Sequence, residues 1–199
     1  MTPPRTGRHD RDRIVTTALA LLDEVGLADL TMRRLAAELD VQPSALYWHV
    51  RSKQELLAAV ADRILDRVRV PDTRSPALED RLHAAARGIR DALLAYRDGA
   101  EVVLSTEALR LGSSRALDLL AAALRPDDGD GADEEAVVAA AATLQFVLGH
   151  TTLVQQRMHA ESHGAAAPED LGDAAPDRVF DTGIRLLARG LSPVSGRRA

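Results

Sequence analysis

The chain has 199 residues, a formal net charge of -5, 46% hydrophobic residues and 28% charged residues, and it contains no cysteine. Such a composition is that of a chain that folds, and abundant alanine and leucine with 3% aromatic residues favour an all-helical protein. The absence of cysteine excludes a disulfide framework and a thiolate metal site, and it fits a reducing cytoplasm, where we expect the protein. The negative charge argues against a protein that coats nucleic acid by bulk electrostatics.

The N-terminal segment predicts two helices after a polar arm at residues 1–12. The first helix is expected to begin near Asp10 or Asp12, because apolar residues then recur at helical spacing until Gly26, which provides a left-handed stop. Thr31 is a good N-cap for a second helix. The arm is basic, and its arginines could enter a minor groove or serve only for solubility.

Two further helices follow within a short stretch. Pro43 suits the first turn of a short third helix that ends near His49. Ser52 and Glu55 form an S-x-x-E capping box, which predicts the start of a long fourth helix that Pro71 terminates. The expected domain limits are an arm at 1–12, a first domain at 13–53, a connecting helix at 54–70 and a second domain at 71–199.

Helical periodicity continues through the second domain, without strand-like alternation or an internal repeat. Residues 136–154 are uncharged, yet they include several threonines and a histidine, so a buried helix is the better interpretation and no membrane association is expected. The fold class is therefore all-α, and the helices of the second domain are predicted at residues 76–96, 101–105, 113–124, 133–161 and 177–191.

Residues 31–53 have the arrangement of a helix-turn-helix DNA reader, since two short helices are joined by a tight turn and followed by basic residues. The side chains that open the third helix are short or planar, so they can approach base edges in a major groove. Further along, a tyrosine hydroxyl and two basic side chains can reach phosphates. The base-reading candidates are Gln42, Pro43 and Ser44, and the phosphate-binding candidates are Tyr47, His49 and Lys53.

Two residues of this stretch keep a second interpretation. Trp48 is expected to be a packing residue that braces the short helix, with a DNA contact as the alternative. His49 is either a phosphate donor or a capping residue. Arg34 points about 100° away from Arg33 on a helix and is expected to be a solvated charge.

The sequence TMRRLAAELDVQPSALYWHVRSKQELL resembles the DNA-binding domain of the tetracycline-repressor (TetR) family of bacterial transcriptional regulators. The likeness continues more weakly at residues 92–102 and 149–153. It implies a homodimer that occupies a palindromic double-stranded DNA operator and leaves it when a small-molecule effector binds. It also implies a base contact by Arg33 and a phosphate contact by Thr31.

The resemblance also concerns the ligand site of the second domain. Where tetracycline repressors have the histidine that holds drug-bound magnesium, this chain has Val103, which cannot ligate a metal. We therefore expect no metal and no cofactor, and a ligand other than tetracycline. For His150 a core or interface position and a pocket position are both open. The predicted pocket is apolar and is lined by Leu65, Arg69, Ile89, Val103, Thr106 and His150.

Other classes of function have less support in the sequence. No convergent acid, base or nucleophile set and no glycine-rich phosphate loop is present, so an enzyme is not expected. His159 and His163 are four residues apart, but no further ligand is identifiable and no metal site is predicted. The alternatives are a regulator controlled by a protein partner and a regulator that activates transcription.

Overall fold

The computed structural model describes residues 6–68, 77–125, 134–162, 164 and 175–191, with side chains from Asp10 onward. Within these ranges the chain is all-helical, as the composition predicts. His163 and Arg69 lie outside the described residues. The helices are α1 (Thr6–Asp29), α2 (Met32–Glu38), α3 (Pro43–Leu46), α4 (Lys53–Leu65), α5 (Leu78–Leu94), α6 (Gly99–Ala108), α7 (Arg115–Leu124), α8 (Glu134–Ser162) and α9 (Pro176–Leu191).

The helices group into two compact units, which are considered separately. The first unit comprises the described residues of Met1–Arg67 together with Ala92–Ser113, and the second comprises those of Val68–Asp91 and Ser114–Ala199. Helix α6 groups with the N-terminal helices. The domain limits expected from the sequence stay predictions.

The predicted helix ends are local, and most are found. Gly26 adopts φ 81° and ψ 172° and interrupts α1, which then continues for one more turn. Thr31 Oγ1 accepts a hydrogen bond from the Arg34 amide at 3.1 Å, and Ser52 Oγ accepts one from the Glu55 amide at 3.1 Å. The Glu55 carboxylate accepts from the amide of Arg51 at 2.8 Å, one residue before the cap, so the capping box is complete on one side only.

Several helix limits differ from expectation. Helix α3 ends at Leu46 rather than near His49, and α4 ends at Leu65, before the predicted end at Pro71, which lies outside the described residues. α1 begins at Thr6, so residues 6–12 of the expected arm are helical. Arg11, in that segment, lies 3.5 Å from the Glu55 carboxylate of α4. The ten-residue α6 is twice as long as the short piece predicted at 101–105, because its first turn is fixed by Asp98 in a left-handed conformation rather than by a recognisable side-chain cap.

The second unit is built around α8, which packs against α7 and α9. Among the described residues, α8 is the helix with the length and mean hydropathy (1.6) of a membrane span, and 39% of the relevant window is buried in the chain. The hydroxyls of Thr143 and Thr151 are buried and donate to the carbonyls of Ala139 and Val147 at 2.8 and 2.6 Å. These contacts agree with the buried helix that the sequence suggests.

Polar contacts fix α5 against α9 in the second unit. His83 Nε2 lies 2.8 Å from Asp181 Oδ1, and Arg87 Nη1 lies 3.3 Å from the same oxygen. The hydrogen bond from His83 lowers the pKa of Asp181 below its usual value. Arg90 donates to Asp177 at 2.6 Å one turn earlier in α9.

We expect Gly183→Ala to destabilise the second unit, because a methyl group there would lie 2.2 Å from Cζ of Phe146. Displacing that ring should cost about 1–3 kcal/mol. The matched control is Gly190→Ala in the same helix, where nothing lies within 4 Å of the added carbon. This control should be neutral or slightly stabilising. Urea unfolding followed by circular dichroism measures both, and equal midpoints would contradict the assigned packing.

Candidate nucleic-acid interface

Helices α2 and α3 pack against each other across a four-residue connection, residues 39–42. Asp40 in this connection has φ 55°, the left-handed conformation that aspartate tolerates better than most residues. The Val41 amide donates to the Ala36 carbonyl at 2.9 Å, which turns the chain directly from one helix into the next. The result is the helix-turn-helix geometry that the spacing predicts.

Helix α3 has a buried side and an exposed side. Leu46 is 1% exposed and the nearby Val50 is fully buried, so both side chains anchor this segment in the core of the first unit. In contrast, Gln42, Pro43 and Ser44 are all exposed. The three base-reading candidates therefore lie on the solvent side of a short helix whose other side is fixed by apolar contacts.

The candidates on α2 and α4 lie at helix beginnings. Arg33 is exposed in the first turn of α2. Thr31 caps that helix through its oxygen, which leaves the hydroxyl proton available for a phosphate. Lys53 is the first residue of α4 and is half-buried. A lysine at the positive end of a helix is well suited to an anion such as phosphate.

The adjacent aromatic residues are both exposed. Tyr47 is 50% exposed, and its phosphate contact stays a prediction. Trp48 is 89% exposed, so the expectation that it braces the short helix is wrong. That bracing is provided by Leu46 and Val50 instead. An almost fully exposed indole beside a recognition helix favours the alternative, an intermolecular contact.

His49 is half-buried and borders a cleft of about 270 Å³ between α1, the end of α2 and α3. The floor of the cleft is apolar, with Ile14, Leu39 and Leu46, whereas Asp10 and Arg13 lie at its edge. The ring of His49 thus has an apolar side within the protein. Its two predicted roles, phosphate donor and capping residue, both stay predictions.

A contact that the sequence did not suggest holds α6 to the end of α1 in the first unit. Asp98 has φ 55°, and its carboxylate accepts a hydrogen bond from the Leu27 amide at 2.7 Å instead of capping α6. The Asp23 carboxylate accepts from the Arg97 amide at 3.0 Å. A Cβ at Gly26 would lie 2.9 Å from the Asp98 oxygen, so glycine is required there for conformation and for space.

A second contact within the first unit joins α4 to the loop after α6. Asp62 Oδ1 accepts from the amide and the hydroxyl of Ser113 at 2.8 and 2.6 Å. Glu107 of α6 is close enough to be affected by this charge: burial raises its pKa above the usual value, and the Asp62 carboxylate raises it further. Helix α4, which begins with Lys53, is therefore fixed to α6 as well as to α1.

The residues of the predicted ligand pocket fall in both units. Leu65, Val103 and Thr106 are buried in the first unit, where the Thr106 hydroxyl donates to the Val103 carbonyl at 2.9 Å. Ile89 is fully buried in the second unit, which also contains His150. Their grouping into a single pocket stays a prediction.

His150 lies in an aromatic cluster of the second unit. The centroid of its ring is 6.0 Å from that of Phe146 and 5.3 Å from that of Phe180. Its Nε2 is 3.0 Å from the Pro176 carbonyl oxygen, and burial lowers its pKa below the usual value. This shift disfavours the charged form of the ring, which fits either of the two predicted positions.

The described fold and its exposed α3 face define a helix-turn-helix DNA-binding protein. Residues 14–60 match the family model of the bacterial regulatory proteins of the tetR family, and residues 70–178 match that of the tetracyclin repressor-like C-terminal domain. The chain belongs to the tetR family. Its members are DNA-binding transcriptional regulators rather than enzymes, so this chain is a repressor-like transcriptional regulator.

Relatives match over nearly the whole chain. The tetracycline repressor protein class C of Escherichia coli is 34% identical over 205 residues, which cover 91% of this chain and 90% of the relative. The crystal structure of Mycobacterium smegmatis BioQ is 42% identical with a TM-score of 0.78, covering 91% and 96% of the two chains. A BioQ structure with its natural double-stranded DNA operator is 38% identical, with a TM-score of 0.73 and the same coverage.

The exposure of Trp48 leads to a direct optical prediction. The chain contains one tryptophan, so its fluorescence reports on this position alone. DNA that covers the end of α3 should change the intensity or wavelength of the emission, because the indole moves from water into an interface. A titration with operator DNA and with a scrambled duplex of equal length measures this effect. Unchanged emission at saturation would place Trp48 outside the interface.

Proposed function

We propose that the chain is a homodimeric repressor whose two copies of α3 enter neighbouring major grooves of a palindromic operator, and that a small molecule other than tetracycline releases it. The observation that carries this proposal is the exposed row Gln42–Ser44 at the start of α3, held from behind by buried Leu46. Two such helices about 34–36 Å apart fit successive turns of B-DNA.

Base recognition would use different chemistry at different positions. Arg33 can donate to a guanine, and Gln42 can pair with an adenine through its amide. Pro43 offers only apolar contact, which suits a thymine methyl group. Thr31, Tyr47, His49 and Lys53 would fix the orientation on the duplex through phosphates.

A dimer has support in the exposed apolar side chains of the second unit. Helix α8 exposes Val138, Leu153 and Met158 by 63%, 51% and 55%, and α9 exposes Leu186 by 64%. Apolar residues at this density on two adjacent helices favour burial against a second copy. A four-helix arrangement of two α8 and two α9 helices would hold the recognition helices at a fixed spacing.

Release by a ligand would follow from a change in that spacing, since the ligand can shift the equilibrium only by binding the two states with different affinity. Val103 has no metal-ligating atom, which supports a metal-free effector. Two alternatives remain open as proposals: control by a protein partner, and activation of transcription instead of repression. An intracellular location fits both the cysteine-free composition and the DNA target.

Substitutions of basic residues test the DNA assignment. Arg33→Ala should remove about 1–3 kcal/mol of discrimination at one base position, because a bidentate contact to one base is lost. Lys53→Ala should weaken binding to all sequences alike and reduce the salt dependence by about one phosphate contact. Binding of selected and single-mismatch duplexes, measured by fluorescence anisotropy at several salt concentrations, separates the two effects.

The matched control for Arg33 is Arg34→Ala. Arg34 is the next residue, is also exposed and carries the same charge, but it points to another side of α2. It should leave base discrimination intact. If Arg33→Ala and Arg34→Ala have equal effects on every duplex, Arg33 is not a base-reading residue.

Effector binding should be reciprocal with operator binding. A compound that lowers operator affinity by a given factor must itself be bound more weakly by that factor on the protein–operator complex, since the coupling free energy is shared. Fractions of a cell extract can be screened for operator release from the purified protein, and the active compound titrated against both forms. Release only by a protein fraction would favour control by a partner.

A further inference from the structure

Arg90 of α5 has a guanidinium that is paired on one side only. Its side chain is 7% exposed, Nη2 donates to Asp177 Oδ1 at 2.6 Å, and Nη1 lies 3.7 Å from Asp91 Oδ1. Both carboxylates are largely exposed, so these contacts face the surface. The third nitrogen, Nε, is buried and has no hydrogen-bond partner among the described residues. A buried charged donor without a partner is costly, and it indicates an acceptor that binds there.

His150 has an unsatisfied hydrogen-bond acceptor, whereas Arg90 has an unsatisfied donor. Its Nε2 lies 3.0 Å from the Pro176 carbonyl oxygen, and because a carbonyl can only accept, Nε2 carries the ring proton. In the neutral ring Nδ1 is then an acceptor. Nδ1 is buried and is also without a hydrogen-bond partner in the described part of the chain.

The two unsatisfied atoms belong to the same small region of the second unit. Pro176 and Asp177, consecutive residues at the start of α9, hold His150 and Arg90 respectively. Both groups also contact the same ring: the Arg90 Cζ is 5.1 Å and the His150 centroid 5.3 Å from the centroid of Phe180. Phe180 itself is fully buried. One donor and one acceptor are thus placed beside one apolar side chain.

The chemistry of this pair selects its ligand. A carboxylate could accept from Arg90 but would place a second lone pair against the His150 acceptor, and an ammonium would place its charge beside the guanidinium. A hydroxyl group can accept from Arg90 and donate to His150 at the same time. The apolar surroundings suit an uncharged body attached to that hydroxyl.

We propose that Arg90 Nε and His150 Nδ1 recognise the hydroxyl group of an uncharged, apolar small molecule, and that this group identifies the chemical class of the effector. The assignment to an effector rests on the proposed function as a ligand-released regulator. The recognition of a hydroxyl rests on the second unit alone. A buried water molecule has the same donor and acceptor pattern, and the experiment must separate it from a ligand.

Three benzene derivatives serve as probes: phenol, anisole and benzoate. They share one ring, but only phenol offers both a donor and an acceptor without a charge. The full-length protein, labelled with ¹⁵N in histidine, is titrated with each probe by NMR. We expect phenol to bind at least about ten-fold more tightly than the other two, and to move the Nδ1 signal of His150. A ten-fold preference corresponds to about 1.4 kcal/mol.

Two conservative variants test whether Arg90 and His150 cause the preference for phenol. His150→Phe retains an aromatic ring without the acceptor, and Arg90→Lys retains the charge without the Nε donor. Phenol and anisole should bind either variant within about two-fold of each other. The matched control is Arg87→Lys, one turn away on α5, where the side chain is more exposed and pairs with Asp181. That variant should keep the preference for phenol, and melting curves establish that all three fold.

Each contrary result has a definite meaning. If no probe binds, and the variants change only the melting temperature, the pair holds a structural water and the proposal is wrong. Tighter binding of benzoate, or a preference for phenol that survives in both variants, would also overturn it. Operator affinity is measured separately without a probe, so a failure of DNA binding is recognised independently. Selective phenol binding that leaves operator affinity unchanged would overturn the assignment to the effector.

Discussion

The burial of Leu46 and Val50 is the interaction on which DNA recognition by this chain depends. Helix α3 has four residues, far fewer than an isolated helix needs to be stable in water. The helical conformation of α3 and its position on the first unit therefore depend on these two side chains, which are 1% and 0% exposed. The exposed residues 42–44 are held in a fixed position only as long as Leu46 and Val50 stay buried.

The same reasoning explains why the first unit includes α6. Asp98 has a left-handed backbone conformation, and its side chain does not cap α6. Both features have a cost in free energy. In return its carboxylate binds the Leu27 amide, where α1 leads into the helix-turn-helix. On the other side, Asp62 fixes α4 to Ser113. A displacement of α6 would therefore act on α1 and α4 together, and through α1 on α2, against which α3 packs.

The sequence was informative wherever structure is determined by near neighbours. The caps at Thr31 and Ser52, the break at Gly26 and the proline that opens α3 are found where they were predicted, because each depends on bonds within four residues. Family resemblance added the predicted base contact of Arg33 and the predicted phosphate contact of Thr31. These two predictions could not follow from local pattern, since a solvated helical hairpin has the same periodicity.

The sequence was misleading where partners are distant in the chain or lie outside it. The amphipathic character of indole favours a packing role for Trp48, but Leu46 and Val50 are the buried side chains of this segment and Trp48 is exposed. The contact between Asp98 and Leu27 spans 71 residues, and no spacing rule indicates it. Arg90 was absent from the candidate residues for the same reason: its partner Asp177 is 87 residues away.

The polar residues of α8 divide into two groups that sequence alone could not separate. Thr143 and Thr151 satisfy their hydroxyls on their own helix, one turn back, so they need no ligand and can be explained by the fold. His150 is satisfied at one nitrogen only. Burial of a polar atom costs free energy only when the atom has no hydrogen-bond partner. The unsatisfied atoms therefore indicate a ligand, whereas the polarity of the helix as a whole does not. The pairing of such an acceptor with the equally unsatisfied donor of Arg90 makes the second unit selective in its chemistry, even though most of its interior is apolar.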